Sequence, residues 1–176
     1  MGDKTQLLAV LLAARFRRPV PIILGIFVAT LANHALAGVL GEWVARAVGP
    51  ALLRWVVGFS FLAVAAWMLV PDNIDRSAVA STRPRWGVFG TTVVAFFLAE
   101  MGDKTQIATV ALAARYHDIM AVVIGTTLGM MLANVPAVFL GEGIAKKVSM
   151  PVVYGVAALI FATLGLITLL RVDRWF

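Results

Sequence analysis

Residues 100–106 read Glu-Met-Gly-Asp-Lys-Thr-Gln, and residues 1–6 read Met-Gly-Asp-Lys-Thr-Gln, an offset of 100. The offset holds well beyond the motif. Ala13-Ala14-Arg15 matches Ala113-Ala114-Arg115, Gly25 matches Gly125, and Leu40-Gly41-Glu42 matches Leu140-Gly141-Glu142. Without gaps, 21 of the first 70 positions equal their partners. Shared apolar composition cannot produce matched Asp, Lys, Gln and Glu. The chain therefore reads as two copies of one unit.

Of the 176 residues, 61% are hydrophobic and 14% charged, with a mean hydropathy of +0.94. Soluble domains carry roughly 45–50% apolar and about 25% charged residues. Too few polar residues remain to cover a water-facing surface, which excludes an ordinary soluble enzyme and a disordered chain. An integral membrane protein is left. The net charge of +6 is spread singly or in small groups between apolar runs. Membrane-flanking charges are distributed that way, so nucleic acid is not an expected partner. The absence of cysteine excludes a disulfide frame and thiol chemistry.

Apolar runs broken by charge, Pro and Gly lie at 5–14, 20–41, 51–70, 87–114, 119–145 and 151–170. A span needs about 20 residues, so five runs qualify and 5–14 does not. The predicted fold is all-α and polytopic, with about six transmembrane helices. They form two three-helix repeats, 1–70 and 87–176, joined by a polar linker at 71–86. Three spans per copy is an odd number, so the second copy enters the membrane from the opposite side. Such inverted repeats recur in secondary transporters, with the substrate site at the repeat interface. Run 87–114 carries the motif near its middle after an apolar lead-in, whereas the first copy starts at Met1. The first helix is therefore expected to be truncated by a cut or misassigned start, with the partner of Glu100 upstream. Links one–two, three–four and five–six hold eight Lys and Arg against five on the other side, which places those links in the cytoplasm. Trp43, Trp55, Trp67, Trp86 and Trp175 lie mostly near span ends, as an interfacial belt would.

Most charges sit in links or at span ends, but Glu100, Asp103 and Lys104 do not, and by the repeat neither do Asp3 and Lys4. A charge at the bilayer centre costs roughly 2.5–3.5 kcal/mol on insertion scales. On a continuous helix Glu100 and Asp103 are i,i+3 neighbours sharing a face, extended by Gln106. Lys104, at i+4 from Glu100, can pair with it. Gly102 leaves room for another backbone, and Thr105 can ligate or bond back to its own helix. The two-fold axis would bring Asp3, Thr5 and Gln6 against Glu100, Asp103, Thr105 and Gln106. That all-oxygen set suits hard divalent cations such as Mn²⁺ and Ca²⁺. Lys104 and its counterpart Lys4 are assigned to proton coupling. Glu42 and Glu142, each followed at i+4 by a basic residue, read first as solvated salt bridges at the membrane edge. His34 aligns with Asn134, mid-span in each copy, and either can pack or ligate. No Ser/His or Cys/His pairing at helical spacing points to an enzyme, and no cofactor is implied.

These residues resemble the GDT family of membrane cation/proton exchangers, whose hallmark is a duplicated Glu-x-Gly-Asp-Lys-(Thr/Ser) motif. The second copy here is complete, Glu100 to Thr105. The first, Met1-Gly2-Asp3-Lys4-Thr5, lacks its Glu. The resemblance covers essentially the whole chain. It implies exchange of Mn²⁺ or Ca²⁺ for protons, and in bacterial relatives manganese export across the cell membrane, the inner membrane of a bacterium. It also implies that Glu100, Asp103 and Asp3 are ligands or proton carriers. The expected partners are the divalent ion, protons and the bilayer, with self-association left open. The competing reading is a non-transporting membrane scaffold whose intramembrane charges only lock helices together. Stabilisation by metal separates the two, because only a ligand site gains from it.

Overall fold

The computed structural model describes residues 4–70, 86–140 and 150–170. Among them are seven helices: α1 (Lys4–Phe16), α2 (Pro19–Ala47), α3 (Pro50–Met68), α4 (Gly87–Glu100), α5 (Lys104–Tyr116), α6 (Ile119–Leu140) and α7 (Met150–Leu170). The linker apart from Trp86, the segment 141–149 with Glu142, and Asp3 lie outside the described residues.

The duplication reaches the backbone. Helix ends at Phe16 and Tyr116, and helix starts at Pro19 and Ile119, are each 100 residues apart. Arg17 and His117, just past α1 and α5, have positive φ values of 51° and 53°. Their N–H groups donate to Ala13 O and Ala113 O. A left-handed residue closing a helix this way is a common stop, usually made by Gly. Non-glycine residues adopt it rarely, so its recurrence at repeat-related positions is the sequence repeat expressed as structure.

Four stretches, Pro19–Ala47, Ala51–Met68, Ile119–Phe139 and Val152–Leu170, are long and apolar enough to cross a membrane. Their outward faces are apolar as well: Leu132 is 77% exposed and Leu159 68%. A contiguous apolar exterior on every long helix suits lipid rather than water. Two expected runs change. Helix α2 continues past residue 41 to Ala47, because Glu42 and Arg46 pair at i,i+4 on its exposed side and support the extra turns. Run 87–114 is not one helix. It breaks at 101–103, leaving α4 with 14 residues and α5 with 13.

The helices pack into two compact units, each drawing on both sequence halves. The first holds α1, α2 up to His34, α4, and α6 from Ile124. Its core is Leu8, Ala9, Leu12, Ile22, Ile26, Ala29, Phe96, Ala137 and Val138. The second holds the rest of α2, α3, α5, the start of α6, and α7 beyond Met150. There Val57, Phe61, Ala111 and Ala114 are buried together, with the Phe61 and Phe161 rings 5.9 Å apart.

Candidate functional site

In the first unit the apolar core is followed by a polar layer. On α1, Thr5 and Gln6 lie one turn before Leu8 and Ala9. On α2, Thr30 and Asn33 follow Ile26 and Ala29. On α4, Glu100 lies one turn past Phe96, and on α6, Asn134 lies one turn before Ala137 and Val138. Thr5, Thr30, Asn33, Glu100 and Asn134 are each at most 1% exposed. The layer is tied across helices. Thr30 Oγ1 donates to Glu100 Oε1 at 3.0 Å, and Asn33 Nδ2 donates to Phe97 O at 3.0 Å. Gln6 Nε2 donates to Ala133 O at 3.3 Å. Gly25 permits the α2–α4 closeness behind these bonds. A Cβ there would stand 2.7 Å from Thr92 Cβ and 3.1 Å from Phe89 O. His34 is also buried, with Nδ1 3.4 Å from Thr127 Oγ1.

The motif itself is where the helix breaks. Helix α4 ends at Glu100, and Met101 leaves it with ψ 123°. Gly102 has φ +75°, and Asp103 is extended, φ −78° and ψ 161°, as the N-cap of α5. Gln106, third in α5, turns back so that its Oε1 accepts the Gly102 N–H at 2.7 Å. That is half of a capping box, shifted by one residue. Asp103 makes no side-chain cap. Its carboxylate, 4% exposed, accepts from Thr105 Oγ1 at 3.2 Å and stands at the positive end of α5.

The expected shared face of Glu100, Asp103 and Gln106 is therefore corrected, as is the one-turn spacing of Glu100 and Lys104 on a single helix. The physical reason is the backbone at Gly102, which only Gly adopts without strain. Nor does Gly102 serve a close approach among the described residues, since a Cβ there would meet none of them within 4 Å. Gly102→Ala should cost about 1–2 kcal/mol through the backbone alone, seen as a lower thermal midpoint of the purified protein. An unchanged midpoint would contradict the break.

Lys104, 2% exposed, belongs to the second unit. Its Nζ donates to Val70 O at 3.1 Å and Trp67 O at 3.4 Å, at the end of α3, and stands 5.3 Å from the Tyr154 ring centroid. An ammonium at a helix C-terminus is favourably placed against the dipole. The Glu42–Arg46 ion pair is as expected, with Arg46 76% exposed. Among the sequence-predicted residues, Glu100, Lys4, Thr5 and Gln6 belong to the first unit, and Asp103, Thr105, Gln106 and Lys104 to the second. Thr30 and Asn33 were missed. Their repeat partners are Met130 and Ala133, so a search for polar pairs passes over them. Two buried polar residues at i,i+3 on an apolar helix were the available signal.

A family model described as divalent cation/proton antiporter GDT1 matches residues 1–76 and 88–174. A Vibrio cholerae protein named for manganese export is 52% identical over 169 residues, covering 96% of this chain and 83% of its own. A GDT1-like protein of Synechocystis sp. is 30% identical over 178 residues, covering 92% and 86%. GDT1-like protein 3 of Oryza sativa is 26% identical over 187 residues, covering 92% and 66%. No solved structure matches.

Proposed function

The chain belongs to the GDT1 family of divalent cation/proton antiporters, and on that premise we propose that it exports manganese in exchange for protons. It is a multi-pass protein of the cell membrane, and its family is one of transporters rather than enzymes. The observation that carries the reading is Glu100, buried at 1% exposure in an oxygen-rich layer and accepting from Thr30. A carboxylate in that position can hold either a proton or a hard cation. Manganese is preferred over calcium because the relative at 52% identity is named for it.

The proposed ligands are Glu100, Asp103, Asp3, Thr5, Thr105, Gln6 and Gln106. Lys104 and Lys4 are proposed to act in proton coupling. Six spans in two inverted three-helix repeats are the proposed architecture, and the matched helix boundaries at Phe16 and Tyr116 and at Pro19 and Ile119 support it. A broken helix at the motif also suits it, since transporters coordinate ions where a spanning helix is interrupted. The scaffold reading has one observation in its favour: Lys104 binds carbonyls of α3, as a purely structural lysine would. Flux decides between the two. Purified protein in liposomes with an acidic lumen should accumulate Mn²⁺, and an ionophore that collapses the proton gradient should stop it. Equal Mn²⁺ entry with and without the gradient would overturn exchange.

A further inference from the structure

Three amide side chains in the first unit are anchored by their nitrogen ends. Asn33 Nδ2 donates to Phe97 O at 3.0 Å, Asn134 Nδ2 to Met130 O at 3.0 Å, and Gln6 Nε2 to Ala133 O at 3.3 Å. A backbone carbonyl only accepts, so each NH₂ must face it and each amide oxygen must point away. Asn33 Oδ1, Asn134 Oδ1 and Gln6 Oε1 are buried, and among the described residues no donor reaches them. Asn33 and Asn134 are 0% exposed. A buried acceptor left without a donor is costly, and an apolar residue would avoid that cost. Nor is either asparagine needed by the carbonyl it touches. Phe97 O also accepts the Met101 N–H at 3.1 Å, and Met130 O lies inside α6, where the helix supplies a donor.

We propose that Asn33 and Asn134 are neutral oxygen ligands of the transported divalent cation, acting beside Glu100. The inference rests on the cation-transport reading above and extends it to the ligand set. Glu100 is the one carboxylate among the described residues of the first unit. No group of three or more His, Cys, Asp or Glu that could hold a metal occurs among the described residues. A hard divalent ion takes six or more oxygens, and carbonyls serve as well as carboxylates. Asn33 lies one turn past Thr30 on α2, and Thr30 holds Glu100. Asn134 adjoins Ala133 on α6, whose carbonyl Gln6 holds. Asn33 thus stands beside Glu100, and Asn134 lies one turn from Ala137 and Val138, in the same core cluster as Phe96, which is one turn before Glu100. Neutral donors complete a coordination shell without the surplus charge that would trap the ion in a carrier that must release it. They also favour Mn²⁺ and Ca²⁺ over softer ions.

The test is thermal unfolding of the purified full chain in detergent against free Mn²⁺, for wild type, Asn33→Leu and Asn134→Leu. Mn²⁺ should raise the wild-type midpoint. Each variant should need at least tenfold more Mn²⁺ for the same rise, while its metal-free midpoint stays within a few degrees of wild type. Equal Mn²⁺ responses in wild type and both variants would overturn the ligand role and leave the transport reading standing. A wild-type midpoint that neither Mn²⁺ nor Ca²⁺ moves would overturn the transport reading as well. Asn33→Ala and Asn134→Ala, which remove the oxygen without adding bulk, carry the same test if a leucine variant folds poorly.

Discussion

Glu100→Gln should abolish manganese export while leaving the protein folded and in the membrane. The substitution is nearly isosteric, and a glutamine oxygen can still accept from Thr30 as Glu100 Oε1 does at 3.0 Å. What disappears is the negative charge. Two unit charges about 4 Å apart attract by roughly 4 kcal/mol at an effective dielectric of about 20, and a divalent ion doubles that. Even a third of this sum exceeds the ~1.4 kcal/mol that makes a tenfold change in affinity. A loss of at least a hundredfold in Mn²⁺ affinity is therefore expected. The check is manganese tolerance of cells carrying wild type or variant, with membrane protein levels measured in parallel. Normal tolerance at normal levels would remove Glu100 from the site.

Lys104→Met is expected to act through two routes. Methionine fills the apolar space of the stem but cannot donate to Val70 O and Trp67 O, which the ammonium reaches at 3.1 and 3.4 Å. Hydrogen bonds from a charged group are worth about 1.5–3 kcal/mol, and the interaction with the Tyr154 ring is lost as well. The thermal midpoint should fall whether or not metal is present. Removing the positive charge next to Asp103 in sequence should also let protons compete more strongly with Mn²⁺ for the carboxylates. The optimum of Mn²⁺ flux in proteoliposomes then moves to higher pH. A lower midpoint with an unmoved pH profile would leave Lys104 as a cap of α3 and take it out of proton coupling.

The repeat was plain in the residues, because Asp, Lys, Thr and Gln in one order do not recur by composition. The structure extends it to the helix ends at Phe16 and Tyr116, the helix starts at Pro19 and Ile119, and the paired left-handed residues Arg17 and His117. The break at 101–103 was not read. Glu100, Met101 and Lys104 around Gly102 are good helix formers, and a lone Gly in a helix costs only about 1 kcal/mol relative to Ala. The signal present was Asp103 followed by Gln106, a helix-start pattern inside an apolar run. The two ends of the motif also belong to different packing units, Glu100 to the first and Asp103 to the second. Only tertiary contacts reveal that. Asn33 was invisible to a search by symmetry because Ala133 is its counterpart, and its anchoring to Phe97 O depends on how closely α2 approaches α4 at Gly25.

The proposed exchange turns on one buried group, Glu100, giving up a proton for the metal. Proton release on Mn²⁺ binding tests it most directly, measured with a pH indicator on purified protein in weakly buffered detergent near the pH at which half the sites are protonated. Metal ligands must give up their protons, so wild type should release protons in proportion to Mn²⁺ bound. Glu100→Gln should release none at the same Mn²⁺ concentration. Mn²⁺ binding to wild type without proton release, or equal release from the variant, would mean that Glu100 does not trade its proton for the metal.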